Sequence, residues 1–229
     1  MKLKASKRYK KLLEVSKDSK IVNIDEAIKK VKQNCNTKFD ESIDVSFKLN
    51  IKQKKEEVNI RTTVNLPNGN GKKVKVAVLC EDTKTQDAKD GGADFYNSEA
   101  LIKNISEGKI NFDKLVATPA MMPKMGKLGK ILGPKGLMPN PKLGTVTNNI
   151  KTIVKALKSG QIEIKNDKDG NIGASIGKKS FPDTKIKQNY ESFVQTLLKE
   201  KPNGIKGEFI LTAFLTSTMG LSYKLKTTR

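Results

Sequence analysis

The 229-residue chain carries 45 Lys and Arg against 24 Asp and Glu, a net charge of +21, and has no histidine. That excess points to a polyanionic partner such as a phosphate backbone. The lack of histidine excludes Ser-His and Cys-His catalysis and every His-containing zinc site, and two cysteines cannot supply a four-thiolate one.

The first expected element is a short basic helix over Lys7 to Val15, with Tyr9, Leu12 and Leu13 as its apolar side. A second helix starts at Asn23, an N-cap residue, with Glu26 placed as in a capping box. Its apolar residues Ile24, Ala27, Ile28 and Val31 follow helical spacing. Ile43, Val45, Phe47, Leu49 and Ile51 then alternate with polar residues, as in a strand with one buried face. Lys52 to Glu57 reads as a charged turn. Val58, Ile60, Thr62, Val64 and Leu66 read as a returning strand, so the two form a hairpin-like pair. Pro67-Asn-Gly69-Asn-Gly71 breaks the pattern and is the best interdomain crossing.

The middle of the chain has a βα grammar. Val74, Val76, Val78 and Cys80 alternate as a strand, and Thr83 to Lys89 looks helical up to Gly91-Gly92. Ser98 caps a helix carrying Leu101, Ile102 and Ile105. Leu115 to Ala117 is a short strand. Gly126 to Lys142 is lysine-studded and rich in Gly and Pro, which predicts a rigid, shaped basic loop. Ile150, Ile153, Val154 and Leu157 mark a helix closed by Gly160. These short alternating elements argue for a small α/β layer sandwich.

The earlier grammar then returns. Ile162 and Ile164 lead through a turn at Asn166 to Gly170 into a strand over Ile172 to Ile176. Thr184 to Lys199 is the clearest helix, with Ile186, Tyr190, Phe193, Val194 and Leu197 on one stripe, ended by Pro202-Asn-Gly204. Phe209, Leu211, Ala213 and Leu215 make a strand, Thr216 to Gly220 follows, and Leu221, Tyr223 and Leu225 alternate again. Two flanking segments of one grammar are candidates for halves of a single domain interrupted by another.

Gly173-Ala-Ser-Ile-Gly177-Lys178-Lys179-Ser180 has the wrong spacing for a phosphate-binding P-loop and lacks its strand–loop–helix frame. Gly129, Gly133 and Gly136 lack dinucleotide-loop spacing. Asp40-Glu41 and Asp167 with Asp169 have no third carboxylate in register, so no metal site is expected. Phe39 reads either as core or as an exposed ring stacking on a nucleotide. Thr216-Ser217-Thr218-Met219-Gly220 reads either as a strand end or as a polar patch that donates to ribose and phosphate. No run reaches the ~20 apolar residues of a membrane span. The N-terminus lacks an apolar segment after its charges, so a cytoplasmic protein is expected. Cys35 and Cys80 are expected reduced.

Leu128-Gly129-Lys-Ile-Leu132-Gly133-Pro134-Lys-Gly136-Leu137-Met138-Pro139-Asn140-Pro141-Lys142, followed by Gly144-Thr145-Val146, closely resembles the signature of the ribosomal protein L-one family, bacterial or organellar type. Lys38-Phe39-Asp40-Glu41-Ser42, Leu66-Pro67-Asn-Gly69 with Gly71-Lys72, and Thr218-Met219-Gly220 agree, and the resemblance covers essentially the whole chain. It implies a two-domain α/β fold. A split β-α-β α+β domain would comprise residues 1–67 plus 160–229, and residues 68–159 would form an inserted Rossmann-like three-layer α/β domain.

The resemblance also implies a non-enzymatic, monomeric component of the large ribosomal subunit with no cofactor. Its partners would be large-subunit rRNA at the mobile stalk, exit-site tRNA and its own mRNA, whose translation it would repress. The family's RNA patch falls here on Lys38, Phe39, Glu41, Ser42, Lys168, Ser175, Thr212, Thr218, Met219 and Gly220. Lys127, Lys130, Lys135 and Lys142 are candidates for a secondary RNA contact. The chain departs from the family pattern at Leu221 (usually Pro), Asn68 and Gly173 (often His) and Thr62 (usually Gly). A generic basic nucleic-acid chaperone would explain the charge but not the loop, and a phosphate-transfer enzyme would lack catalytic groups.

Overall fold

The computed structural model describes residues 6–16, 21–51, 60–202, 205 and 207–226. The expected turn over 52–57, Val58, the Leu13 side chain and the Asn203-Gly204 helix stop lie outside the described residues. Helices α1 (Lys7–Ser16) and α2 (Ile24–Gln33) precede strands β1 (Ser42–Leu49) and β2 (Arg61–Asn65). Next come β3 (Val76–Leu79), α3 (Thr85–Asp90), α4 (Ser98–Ser106), β4 (Lys114–Ala117), α5 (Met122–Gly126), α6 (Gly129–Leu132) and α7 (Ile150–Ser159). The chain closes with β5 (Gln161–Lys165), β6 (Asn171–Lys178), α8 (Asp183–Lys199), β7 (Ile210–Ser217) and β8 (Ser222–Leu225). It divides into two compact units. Unit 1 gathers residues up to Ile60, Leu66–Gly71, and Ile164 onward; unit 2 comprises Arg61–Asn65 and Lys72–Glu163.

Unit 1 is built on a sheet of order β6-β1-β7-β8. β1 runs antiparallel to both β6 and β7. The two are therefore parallel to each other and joined through α8, which is a split β-α-β arrangement. Ile43, Val45, Phe47 and Leu49 are fully buried. They face buried residues of α2 (Ala27, Ile28, Val31) and α8 (Ile186, Phe193, Leu197). Phe47 stacks against Phe193 and Tyr190 at centroid distances of 5.4 and 6.0 Å. The other face carries the alternate, polar residues.

The hairpin expectations are corrected. β2 pairs with β5, and β6 pairs with β1 rather than with the strand through Ile162 and Ile164. Length matching explains it: β1, β6 and β7 have eight residues each, whereas β2 and β5 have five. Both flanks of β1 go to strands of its own length, and four-residue β8 is added only at the edge, against β7. Asn189, fully buried on α8, ties the 66–71 segment into unit 1. Its side chain donates to Gly69 O (2.8 Å) and Ile176 O (2.7 Å) and accepts from Asn68 N (3.1 Å).

In unit 2, β3 and β4 are parallel, and bridges at Ala77–Phe95 and Ala117–Val146 extend the parallel sheet on both sides. Ala77, Leu79, Leu115 and Ala117 pack with α4, α5 and α6 on one face. Val76, Val78 and Val116 pack with Ala88 of α3 and with Ile150, Val154 and Leu157 of α7 on the other. The result is a three-layer α/β sandwich whose strand β3 is buried throughout. Asn97, not Ser98, caps α4, accepting from Ala100 N at 3.2 Å. Ser98 Oγ instead bridges to the strand end, donating to Cys80 O (2.6 Å) and accepting from Cys80 N (3.1 Å). Gly160 closes α7 with φ +112°, the left-handed cap expected of it.

Candidate nucleic-acid interface

The start of β1 and the end of β7 lie side by side, Ile43 opposite Ser217. The flanking segments therefore meet at one end of the unit 1 sheet. Thr218 N donates to Ser42 O at 3.1 Å, and Ser42 N donates to Thr218 Oγ1 at 3.0 Å. Asp40 accepts from Ser180 N (3.0 Å) and Ser180 Oγ (2.8 Å). Lys179 donates its amide to Glu41 O (2.8 Å) and its ammonium to Cys35 O (2.7 Å). On this framework Phe39 is 53% and Met219 46% exposed, with exposed Lys38 beside Phe39. Phe39 is therefore not a core residue. A large apolar side chain held in water beside a cation suits a nucleobase.

Glu41 is 0% exposed. Its Oε1 accepts from the Thr37 hydroxyl at 2.8 Å and its Oε2 from Met219 N at 3.1 Å. Burial pushes its carboxyl up, but Ser217, Thr37 and the Met219 amide together outweigh this, leaving it below the ordinary carboxylate value. The Ser217 hydroxyl is near enough to contribute, although it is buried without a partner in full hydrogen-bond geometry. Gly220 packs closely: a Cβ there would stand 2.2 Å from Ser217 Oγ, so that hydroxyl would have to rotate away. Cys35 is buried and free, and burial raises its thiol pKa.

The other candidates lie along the polar sheet face. Ser175 and Thr216 flank Asp44, and Asn171 and Thr212 flank Lys48. The Ser175 hydroxyl is buried without a partner. Lys48 lies six positions beyond Ser42, about 20 Å along a strand. At that far end Lys48 Nζ donates to Asp169 O at 2.5 Å. Asp167 accepts from Asp169 N (3.0 Å) and from Asn171 N (2.7 Å) and Nδ2 (2.9 Å). These bonds, the Asn171 side chain first, lower its carboxyl pKa and fix the turn that carries exposed Lys168. The structure thus gathers Lys38, Phe39, Glu41, Ser42, Thr218, Met219 and Gly220 at one end. Ser175, opposite Asp44, lies two strand positions from that end, and Thr212 and Lys168 are at the opposite end. Gly173 to Gly177 lies inside β6, so it forms no phosphate loop.

In unit 2, Lys127, Lys130, Lys135 and Lys142 are all exposed. The segment bearing them is more helical than expected, containing α5, α6 and a 3-10 turn at Pro141–Leu143. Gly133 allows α6 to close tightly, since a Cβ there would lie 2.7 Å from Gly129 O. Asn140 fixes the end of the segment: its side chain accepts from Lys142 N at 2.9 Å, and its backbone amide donates to Thr145 Oγ1 at 2.8 Å. Among the described residues no cluster of His, Cys, Asp or Glu could hold a metal ion. No helix among them is long and apolar enough to cross a membrane.

The family model described as "Ribosomal protein L1p/L10e family" matches residues 19–221. The chain belongs to the ribosomal protein L1p/L10e family. It is 60% identical over 222 residues to large ribosomal subunit protein uL1 of Pelagibacter ubique (strain HTCC1062), covering 96% of this chain and 97% of that protein. The uL1 protein of Thermus thermophilus (strain ATCC 27634) is 44% identical over 223 residues, covering 97% of each chain. That of Rickettsia akari (strain Hartford) is 42% identical over 228 residues, covering 100% of this chain and 95% of the relative.

In this L1p/L10e protein the structure adds site residues that sequence reasoning missed. Arg8 Nη1 donates to Met219 O at 2.8 Å. Thr37 and Lys179 complete the surroundings of Glu41, together with Ser217 of the Thr216 to Gly220 stretch already read as a candidate polar patch. Arg8 lies within a helix whose basic character is plain from the sequence; its attachment to Met219 joins opposite chain ends and leaves no local pattern.

Proposed function

We propose that this protein is a structural, non-enzymatic component of the large subunit in cytoplasmic ribosomes, bound to large-subunit rRNA through unit 1. The names of its relatives support the subunit assignment. The observation that carries RNA recognition is the pair of exposed apolar side chains, Phe39 and Met219. They stand on turns fixed by the Ser42–Thr218 and Glu41–Met219 bonds, beside Lys38. Phe39 supplies a stacking surface, Lys38 and Lys168 supply phosphate contacts, and Thr212 offers a hydroxyl along the polar sheet face, whereas the covered Ser175 hydroxyl would need a local shift to reach RNA. The mobile stalk as the rRNA site, assistance to deacylated tRNA leaving the exit site, and repression of the protein's own mRNA follow from the family resemblance. The exposed unit 2 lysines suit a secondary RNA contact.

The test is titration of stalk rRNA and an unrelated hairpin across salt. Loss of base stacking costs about 1–3 kcal/mol per base. Phe39→Ala with Met219→Ala should therefore weaken stalk binding by about tenfold or more and leave the control hairpin nearly unchanged. Equal losses on both RNAs would reduce the protein to a generic basic chaperone.

A further inference from the structure

We infer that Glu41 and Arg8 are positioning residues that clamp Met219 from opposite sides and so set the RNA-facing end of unit 1. The inference rests on the RNA-binding reading of that end. Both backbone polar groups of Met219 are held by charged side chains remote in sequence: the amide by Glu41 Oε2 at 3.1 Å, the carbonyl by Arg8 Nη1 at 2.8 Å. The turn's own support is thin, a Gly220 N to Ser217 O bond of 3.3 Å. Hydrogen bonds to ionised groups are about twice as strong as neutral ones. The Thr218–Ser42 bonds hold the residue before it, and the two charged side chains hold Met219 itself, whose side chain is half exposed.

Glu41 cannot itself touch RNA in this conformation, because it is wholly covered. A buried carboxylate persists only when its oxygens are satisfied, and here each has a donor on a different segment. Thr37 comes from the stretch carrying Phe39, and Met219 from the turn after β7. Glu41 thereby fixes the spacing between the two exposed apolar side chains. Arg8 is partly buried, and Leu12, one helical turn further along α1, is buried and anchors the helix.

The experiment combines hydrogen exchange of the Met219 amide in the free protein, read by NMR, with salt-dependent titration of stalk rRNA and a control hairpin. Glu41→Gln and Arg8→Met should each speed Met219 exchange and weaken stalk binding by about tenfold, as loss of a charge-assisted bond implies. The slope of log affinity against log salt should not change, and Arg8→Lys should restore part of the loss. If Glu41→Gln does not fold, Thr37→Val replaces it, with a smaller rise in exchange expected and Thr37→Ser as its conservative control. Unchanged exchange, or faster exchange with unchanged stalk affinity, overturns the clamp. A slope reduced by about one unit in Arg8→Met, with Met219 exchange unaltered, makes Arg8 a phosphate contact and overturns its positioning role. A wild-type protein with no preference for stalk rRNA would overturn the RNA-binding reading instead, and the exchange rates would still judge the clamp.

Discussion

Thr218 shows how far a residue's role depends on what already occupies its hydrogen-bonding capacity. Its hydroxyl accepts from Ser42 N, so Thr218→Val would leave a backbone donor unpaired and disturb the turn as well as any RNA contact. Gly220 gives a cleaner test of the packing. Gly220→Ala places a methyl 2.2 Å from Ser217 Oγ, and because that unpartnered hydroxyl can rotate, the cost should fall near the low end of overpacking, about 1 kcal/mol. Urea unfolding should show that loss, while Gly136→Ala in unit 2, strained only by its φ of +68°, should leave Met219 exchange untouched. Glu41 sets a pH dependence whose sign follows from its lowered carboxyl pKa, with Lys179 and Cys35 the neighbouring titratable groups. The carboxylate's contribution is present above its ordinary value of 4.5 and is lost as pH falls through the lower folded value. Met219 exchange, corrected for intrinsic rates, should therefore rise on acidification in that window in the wild type. In Glu41→Gln it should already be fast and gain no such step.

At the scale of elements, the Gly126 to Lys142 segment is the clearest test of charge without recognition. Changing Lys130 and Lys135 to Gln should flatten the salt slope by about one unit for each phosphate that is no longer neutralised. Preference for stalk rRNA over the control should hold, with circular dichroism confirming the fold. An unchanged slope would leave these lysines solvated and idle. Element types were legible in the chain because they rest on local periodicity. The alternation through β1, the apolar stripe of α8 and the Gly160 cap all correspond to observed structure. Pairing was not legible, since β1 ends at Leu49 and its neighbour β6 begins only at Asn171. Asn189 escaped for the opposite reason: a polar residue beside an apolar stripe reads as surface until its partners, Gly69 and Ile176, are known. At the site, the motif residues were legible. The exposure of Phe39 and the enclosure of Glu41 depend on contacts between chain ends, which no local pattern encodes.

At the scale of the whole molecule, the segment inserted between the parts of unit 1 should be removable. Replacing Lys72–Glu163 with a short glycine linker, while keeping the 66–71 segment that Asn189 holds, should leave unit 1 folded. It should still prefer stalk rRNA, with weaker total affinity because basic surface is lost. An unfolded product, or loss of the preference, would argue against independent units. The same interruption has a consequence for biosynthesis. β1 leaves the exit tunnel long before β6 and β7, which must flank it. At ~5–20 residues per second it waits about 6–25 s before its first neighbour is made. During that interval Ile43, Val45, Phe47 and Leu49 form an apolar strand face with no sheet to join. The Lys72–Glu163 block, nearly contiguous in sequence, can meanwhile collapse on its own. Nascent chains stalled once Lys165 has emerged should thus show protease protection across that block and none across β1, which closes only when the C-terminal strands arrive.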